Sequence, residues 1–420
     1  MTSLAADQES ILYVRTIEIP DIPNLLSLLP AEGGLAWIHG QANNQIGIVG
    51  WGEVTRSFFN GPERFSRAQR WWTQQCLNSQ GDEPIAFASF AFDKDPGDSV
   101  LVIPEVAITR TEIGTRLIVT SGTAITDSHI NNVLSEINRP RSISQGINNV
   151  TWLSGSRPVS EWQTAVDTAV SRINSGELDK VVLARDIVGQ LDEPLHVGAL
   201  LIRLNESFPE CWTFCVDGLV GATPELLIRR EGEHVTSRVL AGTMRRSRDT
   251  DRDGQLAAEL LDSDKDQEEH VYAVESVAAA LATHCTDLNV PERPFILRLA
   301  NVQHLATDVT GELVDAAPAL ALAASLHPTA AVCGTPTERA TQVIKELEGM
   351  NRGRYSAPVG WLAANGDGEF GIALRCALVE SPDRKTLRLF AGCGIVAGSN
   401  GESEVAESQA KFAAMKSALE

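Results

Sequence analysis

Two pairs of carboxylates, Asp266 with Glu269 and Glu404 with Glu407, stand three residues apart in segments that read as helix. On a helix that spacing sets both members of a pair on one face. Four carboxylates brought together repel one another unless a cation lies among them. An all-oxygen donor set favours Mg²⁺ or Ca²⁺, and few protein ligands plus waters suit Mg²⁺. The same spacing also describes two solvated helix faces, and spacing alone does not separate the readings. Lys411 follows Glu407 by four positions. It is either a helix-stabilising partner of about 0.2–0.5 kcal/mol or a cation that grips an anionic ligand. Lys180 opens the apolar run Lys180-Val181-Val182-Leu183-Ala184-Arg185. There a lysine either guards an edge strand or, inside a closed site, becomes a usable base, because burial disfavours an ammonium. Glu225 ends the turn Gly221-Ala222-Thr223-Pro224-Glu225. Exposed, it is a turn carboxylate; desolvated, it holds its proton and can donate it.

Glycines add a third element. Leu240-Ala241-Gly242-Thr243 and Ala391-Gly392-Cys393-Gly394-Ile395 offer backbone N–H groups to an anion. Neither has the spacing of a Walker loop or a dinucleotide-binding fingerprint. His304 and His327, each in isolation, fit a structural role better than a ligand contact. The chain has no Gly-x-Ser-x-Gly elbow and no His-Glu-x-x-His motif, which excludes hydrolases of those types.

These residues need elements to hold them. Strands are expected at residues 33–40, 46–51, 85–92, 180–185, 212–216, 225–229, 234–240, 359–362, 371–378 and 387–391. Helices are expected within 62–80, from a Ser160 cap to Gly176, and over 253–284, 314–326 and 403–419. Helices and strands intersperse without strict alternation, which predicts an α+β fold with large antiparallel sheets. Residues 1–150 read as an N-terminal β-rich part and 151–420 as the catalytic region, with Arg139 to Gly146 as the linker candidate.

The chain has 420 residues, 43% of them hydrophobic and 21% charged, as in globular proteins. Its formal charge of -20 argues against a nucleic-acid partner. A local cluster of basic groups still suffices for a small anion. No apolar run is long enough to span a bilayer, and the first residues lack a signal-peptide pattern, so a cytoplasmic protein is expected. The seven cysteines are odd in number and form no Cys-x-x-Cys pair, which points to reduced core thiols.

Taken together, the segments resemble the chorismate-utilising enzymes over about residues 155 to 420. Asp179 to Arg185, Gly221 to Glu225, Leu240 to Thr243, Asp264-Lys265-Asp266-Gln267-Glu268-Glu269-His270 and His304 to Thr307 carry the match. It continues through His327 to Pro336, Arg354 to Trp361, Gly371 to Arg375 and Ala391 to Val396. Within that family the chain is similar to the isochorismate synthase branch, which has lysine at the position of Lys180. The resemblance implies two large packed antiparallel sheets with flanking helices. It implies chorismate as substrate, attacked by water at C2 with loss of the C4 hydroxyl. Lys180 would deprotonate the water and Glu225 would protonate the leaving group. Mg²⁺ would be held by Glu269 and Glu407, with Glu404 and Asp266 direct or through water. Arg375, Lys411 and Gly392 would grip the substrate carboxylates, Tyr355 and Leu374 would line the pocket, and Gly242 and Thr243 would lie near the ring. His304 and Ala331 complete the substrate-binding set. Cys393 stands where a smaller residue, often alanine, is expected. A monomer is implied, and the resemblance leaves the menaquinone or siderophore destination of the product open. Rival readings on the same fold are a salicylate synthase, an amino-transferring relative and a silent chorismate- or metal-binding protein.

Overall fold

Three long strands rich in Val, Leu and Thr, Lys180–Leu191, His234–Arg245 and Val302–Leu313, form the framework. β-Branched and aliphatic side chains suit a pleated surface buried against neighbours. The computed structural model describes residues 11–41, 44–95, 97–139, 149–380 and 382–420. Most of the linker candidate lies outside the described residues.

Among those residues, one sheet has thirteen strands and the other ten. Pairing is antiparallel throughout, apart from Leu12–Ile19 against Ser79–Gly81. The α+β expectation of two large antiparallel sheets with flanking helices therefore holds. The N-terminal strands extend both sheets: Leu35–His39 pairs with Trp212–Val216 in the larger, and Ile85–Ser89 with Pro358–Ala363 in the smaller. Trp37, Phe214 and Phe390 of the larger sheet share one buried cluster with Phe87, Leu226 and Val359 of the smaller. That cluster is the seam between the sheets. Helices cover the outer faces. Ile130, Leu204 and Met415 pack on one side, and Val277, Leu320 and Val343 on the other. All seven cysteines are free, six of them buried.

Three local expectations are corrected. The segment 253–284 is two helices, Thr250–Leu261 and Asp264–Leu281, because the Ser263 side chain accepts the Asp266 N–H and starts a second helix. The helix at Val159–Asn174 begins after Pro158, so Ser160 lies inside its first turn and does not cap it. The segment 371–378 is two strands, Gly368–Ile372 and Cys376–Val379, in different sheets. Arg375, at φ 49°, makes the turn between them.

Candidate active site

A cavity of about 220 Å³ opens between the sheets. Of the residues singled out in the sequence, Glu225, Gly242, Thr243, Asp266, Glu269, His304, Ala331, Tyr355, Leu374, Arg375, Gly392, Glu407 and Lys411 all line it. Lys180 and Glu404 lie one layer behind.

Register places these groups. His234–Arg245 pairs with Val302–Leu313, and the register slips between Ala241 and Thr243. Gly242 takes up the slip at φ 76°, the left-handed region that glycine occupies without a Cβ clash. The bulge sets Thr243 Oγ1 3.0 Å from His304 Nδ1 and the Gly242 carbonyl 3.4 Å from the same nitrogen. Burial, then Arg375 and Lys411, hold the His304 imidazole neutral far below the usual histidine range. Its Nε2 faces Arg375 Nη2 at 3.4 Å, so the neutral ring can accept from the guanidinium.

The Asp264–Leu281 helix packs on the same two strands and brings Asp266 and Glu269 to the cavity. The Gly401–Leu419 helix packs on the Thr386–Ile395 strand and brings Glu407 and Lys411. Lys411 Nζ lies 2.6 Å from Glu407 Oε1 and donates to the Gly392 carbonyl at 2.7 Å. Burial pulls the Lys411 amine down, yet Glu407 outweighs it and keeps the group above the ordinary lysine range. Burial pushes Glu407 up, but Lys411, Lys265 and Arg375 leave it below the ordinary carboxylate range. Glu404 has no such cation in contact. Burial and the charge of Glu407 push it up to about 7, and Lys265 Nζ is 3.9 Å away. Burial also raises Asp266.

Buried carboxylates at elevated pKa beside like charges are the condition that a divalent cation relieves. Oxygens of Glu404 and Glu407 and the Cys393 sulfur lie within 4.8 Å of one another. The two carboxylates of this group suit a hard cation such as Mg²⁺; among the described residues, Asp266 and Glu269 do not join it within that distance. Cys393 is packing: its thiol, fully buried, donates to the Glu404 carbonyl, and the residue does not line the cavity.

Lys180 begins its strand with 0% exposure, and its Nζ stands 3.0 Å from Glu269 Oε1. Its register neighbourhood explains how it approaches the cavity. Val182 pairs with Gly394, and a Cβ on Gly394 would come within 2.3 Å of Glu269 Oε1 and 3.2 Å of Lys180 Cε. Any side chain there would require the Glu269 carboxylate to move. Gly394→Ala is therefore expected to displace the Glu269 carboxylate from its place beside Lys180, which a structure of the variant checks. Glu225, 4% exposed, is pushed by burial up to about 8, against the pull of Lys180, the Leu240 backbone and Lys411.

The sequence reading gave no role to Lys265, Val182, Val332, Ser356 or Phe390, which also line the cavity. Lys265 adjoins a residue already singled out, and Ser356 lies in a recognised block. The other three are apolar and carry no chemical signal in isolation.

The chain is 41% identical over 278 residues, 63% of its length and 69% of the relative's, to the isochorismate synthase DhbC of Bacillus subtilis. It is 34% identical to a salicylate biosynthesis isochorismate synthase of Pseudomonas aeruginosa, over 89% of this chain and 83% of that one. The solved structure of MenF, the menaquinone-specific isochorismate synthase from Escherichia coli, superposes with a TM-score of 0.81 at 28% identity. That match covers 97% of this chain and 95% of the other. The family model described as chorismate binding enzyme matches residues 2–420, and the chain belongs to that family.

Proposed function

We propose that this chain is an isochorismate synthase, which converts chorismate to isochorismate by adding water at C2, shifting the double bond and expelling the C4 hydroxyl. Lys180 takes a proton from the incoming water, and Glu225 gives one to the departing hydroxyl. Each turnover leaves Lys180 with an extra proton and Glu225 without one, and proton exchange with solvent resets both. Atoms balance, as an isomerisation requires.

The observation that carries this reading is a buried acid, Glu225, on the cavity wall, with the buried Lys180 amine behind that wall, 3.0 Å from Glu269. Glu225 holds its proton at neutral pH because burial disfavours the carboxylate, which suits a general acid. Arg375 and Lys411 supply the cations that a dianionic substrate needs, and Gly392, Tyr355, Leu374, Ala331 and His304 shape the wall beside them. Gly242 and Thr243 sit where the strand bulge turns toward the ring. Glu269 and Glu407 are the direct Mg²⁺ ligands in this proposal, with Glu404 and Asp266 direct or through water. When bound, the ion supplies positive charge that draws the ring carboxylate into the acidic end of the cavity. Residues 182 to 411 supply the cavity lining among the described residues, so residues 151–420 act as the catalytic region, while strands within 1–150 extend both sheets. We place the protein in the cytoplasm as a monomer acting on a small molecule. Among the described residues no helix is long and apolar enough to cross a membrane.

Incubation with chorismate and Mg²⁺ tests the reading. Isochorismate is expected to accumulate, unaffected by ammonia or glutamine. Salicylate and pyruvate appearing together would instead establish the salicylate synthase. Chelation with EDTA is expected to abolish turnover, and excess Mg²⁺ to restore it.

A further inference from the structure

The outer edge of the Lys180–Leu191 strand is only partly covered by strands among the described residues. Val150–Ser154 pairs with Ile187–Leu191, and Gly334–Thr335 pairs with Lys180 and Val181. Between them the backbone groups are met mostly by side chains. Cys333 O accepts the Val182 N–H at 2.8 Å. Arg352 Nη2 donates to Val182 O at 2.8 Å, Glu348 Oε1 accepts the Ala184 N–H at 2.7 Å, and Trp162 Nε1 donates to Ala184 O at 2.9 Å. Each buried backbone group left unmet would cost about 1–3 kcal/mol, so the gap in the sheet has been filled by chemistry.

Arg352 uses all five of its N–H groups. Nε bonds the Glu348 carboxylate at 2.9 Å, and Nη2 bonds both that carboxylate and Val182 O. Nη1 reaches Val332 O at 2.9 Å and Ser356 Oγ at 3.1 Å. The guanidinium lies 4.3 Å from the centre of the Phe92 ring. The side chains of Arg352 and Glu348 are 3% and 1% exposed. A buried ion pair is on average no more stabilising than apolar side chains of the same volume, so stability alone does not account for it.

Its partners do. Val182, Val332 and Ser356 come from three separate segments, and all three line the cavity that holds Glu225 and Glu269. Arg352 and Glu348 do not line it; they border a different cavity. Ser356 is held at φ 56°, a conformation that costs a non-glycine residue energy. Its N–H bonds Ala373 O at 2.9 Å and its hydroxyl bonds Arg352. The preceding Tyr355 stacks on Phe390 with ring centroids 5.0 Å apart.

We propose that Arg352, oriented by Glu348, is a positioning residue for the reaction site: one guanidinium locks the Lys180 strand, the Val332 loop and the Tyr355–Ser356 turn into a single frame. The assignment rests on the cavity being the place where chorismate reacts. A lysine cannot replace the guanidinium, because a compact ammonium cannot reach acceptors spread around a planar fork. A misplacement of about 1 Å at a reacting site can cost on the order of 100-fold in rate.

Arg352→Lys and Glu348→Gln, in the full chain, test this by steady-state kinetics and by peptide-level hydrogen exchange. Arg352→Lys is expected to lower kcat at least about 10-fold with KM within about threefold. Faster exchange is expected in peptides covering 182–184, 331–333 and 355–357, and unchanged exchange in the distant Val106–Thr111 strand. Glu348→Gln keeps an acceptor for Ala184 but weakens the hold on Arg352, so the same changes are expected with smaller size. Uniformly faster exchange with kcat intact per folded molecule would reduce the pair to a structural role and overturn the proposal, as would wild-type exchange in all three peptides. If Arg352→Lys fails to fold, Glu348→Gln decides by the same readouts. A wild-type chain inert toward chorismate would overturn the functional reading instead, and local exchange would still decide whether Arg352 sets the frame.

Discussion

Lys180→Ala is expected to lower kcat for chorismate isomerisation by roughly 10²–10⁴-fold, the usual contribution of a positioned general base, with substrate affinity largely kept. Arg375 and Lys411, which we propose grip the substrate, lie on other elements and are untouched by the change. A structural effect has to be separated. Lys180 is fully buried with Nζ 3.0 Å from Glu269, so its removal leaves the Glu269 carboxylate without that neighbour and lowers Tm as well. Lys180→Met fills the same space without an amine and controls for the lost volume. Both variants should be folded and inactive. Turnover by either at near the wild-type rate would refute Lys180 as the base, even with the family assignment intact.

Much of this site was legible in the sequence because its spacing is local. Asp266 and Glu269, and Glu404, Glu407 and Lys411, are set by helix periodicity, and the helices form where the pattern predicts. The strands were legible for the same reason, since runs such as Ile46–Trp51 and Trp212–Val216 announce themselves. What stayed hidden depends on approach between segments far apart in the chain. Nothing local says that Gly394 must be glycine; the reason is a carboxylate from another helix and a lysine from the adjacent strand. Nothing local says that Lys180 stands behind Glu269 and not on the cavity wall, or that Glu404 is withdrawn behind Glu407. The turn at Arg375 between two sheets reads as one continuous strand, because its apolar flanks are buried in either sheet. The Arg352–Glu348 pair has the spacing of an ordinary surface helix pair, and only packing reveals it as a buried clasp.

Glu225→Gln is expected to cost a similar roughly 10²–10⁴-fold in kcat, since glutamine cannot deliver a proton to the leaving hydroxyl. In the wild type, burial pushes Glu225 up to about 8, so the acid is protonated and competent at pH 7. Its share of the free-enzyme rate should fall as pH rises through about 8, giving kcat/KM a descending limb there. The variant should lack that limb. Stability should move the other way. A carboxyl whose folded pKa is raised from 4.5 to about 8 favours folding fully below pH 4.5, where both states carry the proton. That contribution is lost progressively as pH rises through 8, because the unfolded chain ionises first. Glutamine has no charge to desolvate, so the Tm of Glu225→Gln should rise relative to wild type as pH goes from 4.5 to 8, and the difference should level off above that. A variant that is more stable at pH 8 yet inactive identifies Glu225 as a group held in a costly state for chemistry. A Tm difference independent of pH, or a descending limb that survives in the variant, would assign the proton to another residue.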